Sequence, residues 1–370
     1  MTSVGTISAH GRALRRPPPK RESGPIAWLR ANLFGGVHEA VLTVLVAWAL
    51  FLIVTPLYEW AVRDAVWFTT DSLVCRRAAG ACWAVIVEKH RVMLFGTFPY
   101  EEHWRGVVVI VTIVGMAVAS GFRRLWSYRL FVAWVVALGV VLVLQLGGVF
   151  GLAPVDTNQW GGLPLTLILF VGTVVGGLPA AVFLALGRRS NLPVIKAACV
   201  AVIETVRGVP LLTVLFMASL MFPLFVPPEL TIDKLLRAQI AMIIFFAAYG
   251  AEVVRGGLQA IPRGQHEAAQ AVGLTYWQTT RKVVLPQALR IVIPPLMNDI
   301  IRAFKNTTFV TIIGLFDVLG ATRAALEDLN WQPYALEAYV FIFALYFVFC
   351  FSMSKYSEDV ERRLREGRNY

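Results

Sequence analysis

No glycine–lysine pair occurs anywhere in the 370 residues. A phosphate-cradling loop of the P-loop type needs that lysine behind its glycines, so no nucleotide-hydrolysing site of that kind is expected. Charge is scarce: 15% of residues are Asp, Glu, Lys or Arg, against 57% hydrophobic. That apolar excess is more than a globular core needs and points to a membrane protein. Histidine and cysteine number five and four, and none are spaced like the ligands of a metal site. Acidic residues are outnumbered 23 to 34 by basic ones, a formal net charge of +11. The basic residues fall in short segments beside apolar runs, where cytoplasmic orientation signals belong, so nucleic-acid binding is not expected.

What the sequence does contain is a series of apolar runs. The first, 37–57, is long enough to span a bilayer. It is too long and too far from the start for a signal peptide, and no small-residue cleavage site follows. Further runs lie at 106–122, 130–150, 162–186, 196–225, 236–254, 291–315 and 338–353. Together they predict an all-α polytopic membrane protein with about eight transmembrane helices and both termini cytoplasmic. Residues 1–36 are polar, with Arg12, Arg15, Arg16, Lys20, Arg21 and prolines at 17–19, and read as a disordered basic tail. Residues 58–105 form an outer loop bearing Trp60, Trp67, Trp83 and Trp104, which suit an interface. Cys75 and Cys82 in that loop are either a disulfide, if the compartment is oxidising, or two free thiols. Cys199 and Cys350 lie in apolar runs and read as packing residues.

The character of the chain changes near residue 161. Gly172, Gly176, Gly177 and Pro179 enter the apolar runs, allowing close helix packing and kinks. This sets a boundary between an accessory three-helix region, 37–160, and a five-helix core, 161–355, followed by a tail at 356–370. The fifth run is too long for one straight span and is expected to bend at Pro210. The seventh opens on Pro294 and Pro295, a broken entry, and then carries Asn298, Asp299, Arg302 and Lys305. Charge so dense in a span is costly unless it faces protein or water.

One polar segment, 256–290, interrupts the core. It reads as two short helices with a sharp break. Residues 265–272 are good helix formers, and Gly273 follows where a helix end wants the left-handed conformation. Thr275 has Gln278 three residues on, the spacing of a capping box, and Pro286 stops or kinks the second run. By itself the pattern also fits an amphipathic helix lying at the headgroups.

The residues of the loop are more specific than its helix pattern. Glu267-Ala268-Ala269, three residues, Gly273, nine residues, Val283, one residue, then Leu285-Pro286 resembles the EAA loop of ABC importer permeases, with Val283 where isoleucine is usual. Gly162-Leu163-Pro164-Leu165-Thr166, the run Glu204 to Leu211, the run Ala248 to Gly257 and Lys305-Asn306-Thr307-Thr308 resemble the polar amino-acid branch of type I ABC importers, the histidine/glutamine permease branch. Departures are Asn306-Thr307-Thr308, where the branch reads Asp-Thr-Ser, and Gly250, where alanine is common. The extra N-terminal helices resemble the longer permease subunit of general L-amino-acid importers.

The resemblance implies a transport subunit in a bacterial inner membrane, not an enzyme. It would form half of a pathway for L-amino acids. It would couple to a separate ATPase through the loop, with Glu267, Ala268, Ala269, Gly273, Leu285 and Pro286 as coupling residues. The implied partners are a second permease, two ATP-binding subunits that hold ATP and Mg, and a periplasmic amino-acid-binding protein; the chain itself would carry no cofactor. A zwitterionic substrate needs partners of both signs: Glu252, Asn298 or Asp299 for its ammonium, Arg302 or Lys305 for its carboxylate. Against this, Glu204–Arg207 and Glu252–Arg255 also fit local i,i+3 pairs at helix ends, the reading preferred for both. Trp277 is expected to pack within the loop. A secondary amino-acid transporter not driven by ATP is the alternative. It would show internal repeats relating its halves, and none is seen.

Overall fold

The computed structural model describes residues 24–230 and 232–366. The basic stretch at 12–21 lies outside the described residues. The chain divides into two compact units, Met1–Val66 with Cys75–Ala81, and Trp67–Val74 with Cys82–Tyr370.

In the first unit, α1 (Pro25–Leu33) precedes α2 (Val37–Tyr58). The sequence reading extends the disordered tail to residue 36. The structure instead starts a helix at Pro25, whose fixed φ suits the first helical position and whose missing N–H is needed by no partner there. Helix α2 runs on through a π turn, Glu59–Arg63, so the span is 27 residues long. None of its described residues is buried. Helix α3 (Ser72–Arg77) follows. Cys75 and Cys82 are disulfide-bonded, whereas Cys199 and Cys350 are free.

The second unit holds the remaining helices: α4 (Ala84–Phe95), α5 (His103–Gly121), α6 (Tyr128–Leu146), α7 (Gly162–Arg188), α8 (Pro193–Gly208), α9 (Leu211–Phe216), α10 (Phe222–Phe225), α11 (Lys234–Gln259), α12 (Arg263–Ala271), α13 (Tyr276–Thr279), α14 (Leu285–Asn306), α15 (Val318–Ala325) and α16 (Ala335–Glu366). Across the described residues seven helices are long and apolar enough to cross a membrane. The broken pair Pro193–Gly208 and Leu211–Phe225 makes an eighth if counted as one span. The pair turns by 110° at Val209 and Pro210, where a bend is expected. The protein is thus an all-α polytopic membrane protein.

Helix association inside a bilayer gains little from apolar burial, because lipid tails are as apolar as leucine; close backbone approach must supply the contact. The α7–α11 crossing shows how. A Cβ on Gly176 would stand 2.7 Å from Ile243 Cδ1, and one on Gly177 would stand 2.5 Å from Phe246 Cδ1. The core falls into two clusters. One gathers Phe95, Trp160, Leu165, Leu215, Met242 and Ile313. The other gathers Ile203, Val254, Leu258, Val284, Val292 and Leu296 beneath the 256–290 loop.

The seventh span differs from expectation. From Tyr276 to Ile313 the helical residues run on for 38 positions. Pro286 does not stop the helix: it sits in the first turn of α14, behind a π turn at Thr280–Val284, where a proline costs little. Pro294 and Pro295 lie inside α14 rather than breaking its entry, as happens where neighbouring helices support the freed carbonyls.

At the end of α7 that carries Gly162, the chain is tied by a buried carboxylate. Asp317 caps α15 through the Gly320 N–H (2.9 Å) and accepts from Thr311 Oγ1 (2.7 Å) and the Tyr346 hydroxyl (3.1 Å). Burial pushes its carboxyl above the usual range, and the bonds from Gly320, Thr311 and Tyr346 oppose that shift. Gly162 N–H donates to the Phe316 carbonyl (2.8 Å), and Val318 N–H to Thr166 Oγ1 (3.0 Å). Helix α4 packs on α15 here, with Lys89 paired to Asp328 at 2.8 Å and Cys82 N–H donating to the buried Glu337 carboxylate at 2.9 Å.

Candidate functional site

The loop between α11 and α14 is built by two local motifs. Helix α12 ends on Gly273 at φ +78, with the Gly273 N–H on the Gln270 carbonyl (2.9 Å) and the Leu274 N–H on the Ala269 carbonyl (3.1 Å). That pair of bonds is the Schellman ending, and it requires a left-handed residue at this position. Nothing lies within 4 Å of a Cβ built on Gly273, so the glycine is needed for its backbone and not for space. Two residues on, Thr275 and Gln278 form a capping box: the Gln278 N–H donates to Thr275 Oγ1 and the Thr275 N–H to Gln278 Oε1.

Ala269 is buried, while Glu267 and Ala268 face outward beside exposed Val272, Tyr276 and Trp277. Trp277 is 70% exposed and touches Tyr276 edge to face, so it does not pack into the loop as expected. Leu285 packs on the core cluster below, and Pro286 is exposed. Gln287 Nε2 donates to Gln265 Oε1 (3.0 Å), fastening α12 to α14.

The polar residues of the spans sort into two groups. Glu252, on α11, is ringed by three arginines: Arg255 at 2.8 Å, Arg188 at 2.9 Å and Arg207 at 3.7 Å. The local Glu252–Arg255 pair therefore forms. The local Glu204–Arg207 pair does not: Glu204 binds Arg188 at 2.7 Å, because the ends of α7, α8 and α11 converge there and a partner across the bundle lies nearer. The second group lines a small cavity between α7, α11 and α14. Asp299 is buried and paired with Arg302 at 2.6 Å, and its second oxygen has no hydrogen-bond partner among the described residues. Thr173, Phe245, Phe246, Tyr249 and Asn306 complete the polar and aromatic wall, and the Arg302 guanidinium lies 5.9 Å from the Tyr249 ring centre.

Of the sequence-predicted substrate residues, the cavity brings together Asp299 and Arg302. Glu252 belongs to the arginine cluster, and Asn298 and Lys305 are exposed and do not line the cavity. Sequence reasoning missed Tyr249, Asn306 and Thr173 as lining residues. The first two stand inside motifs already singled out, whereas nothing marks Thr173. The free space is about 20 Å³, room for about one water. An amino acid would enter only if the helices part.

An all-helical membrane bundle with an ordered polar loop and a charged cavity between its spans is the build of a transport subunit. Residues 177–366 match the family described as binding-protein-dependent transport system inner membrane component. The chain is 43% identical over 357 residues to the inner membrane amino-acid ABC transporter permease protein YhdY of Escherichia coli (strain K12), covering 95% of this chain and 96% of that one. It is 36% identical over 420 residues to the glutamate/glutamine/aspartate/asparagine transport system permease protein BztC of Rhodobacter capsulatus, again covering 95% and 96%. The glutamate/aspartate import permease protein GltK of Escherichia coli O6:H1 is 33% identical over 207 residues, 55% of this chain and 91% of that protein. The chain belongs to the binding-protein-dependent transport system inner membrane component family: it is the membrane-spanning permease of an ABC importer.

Proposed function

We propose that the permease carries L-amino acids and works as one of two permeases in a complex with two ATP-binding subunits and a periplasmic amino-acid-binding protein. ATP and Mg are held by the ATP-binding subunits. The observation that carries the substrate class is likeness over nearly the whole length to permeases named for amino acids. The Asp299–Arg302 pair supports it, since an ammonium and a carboxylate find counter-charges on one helix turn.

The 256–290 loop couples to the ATPase. Glu267, Ala268 and Ala269 stand on α12, Gly273 sets the break behind them, and Leu285-Pro286 roots the loop in α14. Exposed Val272, Tyr276 and Trp277 supply the apolar surface that a partner groove would cover. Both termini and this loop lie on the cytoplasmic side. Residues 37–160 are an accessory region on a core of 161–355, in keeping with a relative that is nearly complete in 207 matched residues. Purification through a tag on this chain should bring down an ATPase stimulated by amino-acid-loaded binding protein. Absence of any copurifying ATPase would return the secondary-transporter reading.

A further inference from the structure

A larger cavity lies at the other end of α7, between its last residues, α12 and the π turn at Thr280–Val284. It measures about 230 Å³. Its floor is apolar, from Leu258 and Val284, and its polar lining includes Arg189, Asn191, His266, Gln270, Tyr276 and Thr280. No carboxylate lines it. Arg188 is committed to Glu204 and Glu252, but its neighbour Arg189 has no ion pair among the described residues. Thr279 is 6% exposed, and its hydroxyl is sealed under the lining with no hydrogen-bond partner among the described residues.

We propose that this cavity binds a small anion bearing a carboxylate or phosphate group, and that the bound anion braces α12 against the end of α7. Arg189 brings a cationic donor and Asn191, His266, Gln270 and Thr280 can add neutral ones, with no carboxylate in the lining to compete, which suits an anion. The lining comes from three separate parts of the chain, so an occupant resists any change in the angle between the loop and the bundle. An anion could come from solution or from a phospholipid headgroup at the membrane surface; the ligand chemistry is shared. The inference goes beyond the transport reading, because it concerns occupancy of this chain and needs neither ATP nor substrate.

The test is hydrogen–deuterium exchange on the purified whole transporter. One arm adds glycerol 1-phosphate to a phosphate-free detergent sample; the other compares phosphatidylcholine nanodiscs with and without phosphatidylglycerol. At ten times the Kd, amides in 263–284 that exchange through local opening should slow roughly tenfold. Protection in the first arm identifies a soluble anion, and protection in the second alone a lipid headgroup; both support the site. Arg189→Gln should lose the protection while amides of 307–325 exchange as in the parent, showing an intact fold. No protection in either arm, or equal protection in Arg189→Gln, overturns the proposal. These readouts are unaffected if the chain proves to couple to no ATPase.

Discussion

The two ends of α7 are held by opposite means. At the Gly162 end, a buried carboxylate, a backbone bridge and a paired lysine stitch α4, α7, α15 and α16 into one knot. At the Arg188 end, the 256–290 loop holds its shape through its own caps above a buried apolar cluster, with large apolar side chains turned outward. A knot of interlocked long-range bonds resists motion, while locally capped short helices keep their form as they move. The difference is the one that the proposed coupling role of the loop would call for.

Mutations that attack the two ends should therefore fail differently. The largest effect is expected from Asp317→Ala, which strands the Gly320 N–H and the Thr311 and Tyr346 hydroxyls in a buried site. The expected cost is about 3 kcal/mol or more, read as a lowered thermal midpoint and reduced yield of the purified complex. Gly273→Val at the other end forces a β-branched residue to φ +78, at about 1–2 kcal/mol of local strain. There the complex should assemble with a near-normal midpoint but lose uptake; normal uptake would remove the coupling role of the loop. Thr275→Ala breaks the capping box at about 1 kcal/mol and should lower uptake partially, with faster amide exchange limited to the turn that follows.

The smallest effect is one of pH. The bond from Lys89 holds the Asp328 carboxyl below its usual value of 3.8. A depressed acid contributes stability above its unfolded value, and the contribution is lost as pH falls through the lower folded value. Amide protection of α4 should thus be flat across neutral pH and drop only below about pH 4, a drop that Lys89→Met abolishes. Together with Asp317→Ala this separates the surface stitch from the buried one.

The loop was the most legible part of the sequence because its chemistry is local. Gly273, Thr275 and Gln278 act on backbone within a few residues, so spacing alone predicts the left-handed helix end and the capping box. The spans were legible from run length, and Pro210 from its lack of an N–H. What stayed hidden depends on elements far apart in sequence. Glu204 could not be matched with Arg188 before the ends of α7 and α8 were brought together. Asp317 lies outside every motif that the sequence marks, although it is the centre of the knot. Pro294 and Pro295 suggested a break that the surrounding bundle overrides. In the candidate cavity, Asp299 and Arg302 drew notice by charge in an apolar run, while Thr173 carried no such mark.

The helix through Tyr276–Ile313 sets a mechanical gearing. Thirty-eight residues at about 1.5 Å each give a rod of roughly 55 Å, nearly twice the ~30 Å apolar thickness of a bilayer. Pivoted at one end, a tilt of about 5° sweeps the other by roughly 5 Å, the rise of about one helical turn. Each end of the rod carries a softer winding, the π turn at Thr280–Val284 and the 3₁₀ stretch at Thr307–Ile313, where such departures commonly mark hinges. Pivoted at the loop end, the same small tilt carries Asp299 and Arg302, about two-thirds of the way along, by roughly 3 Å.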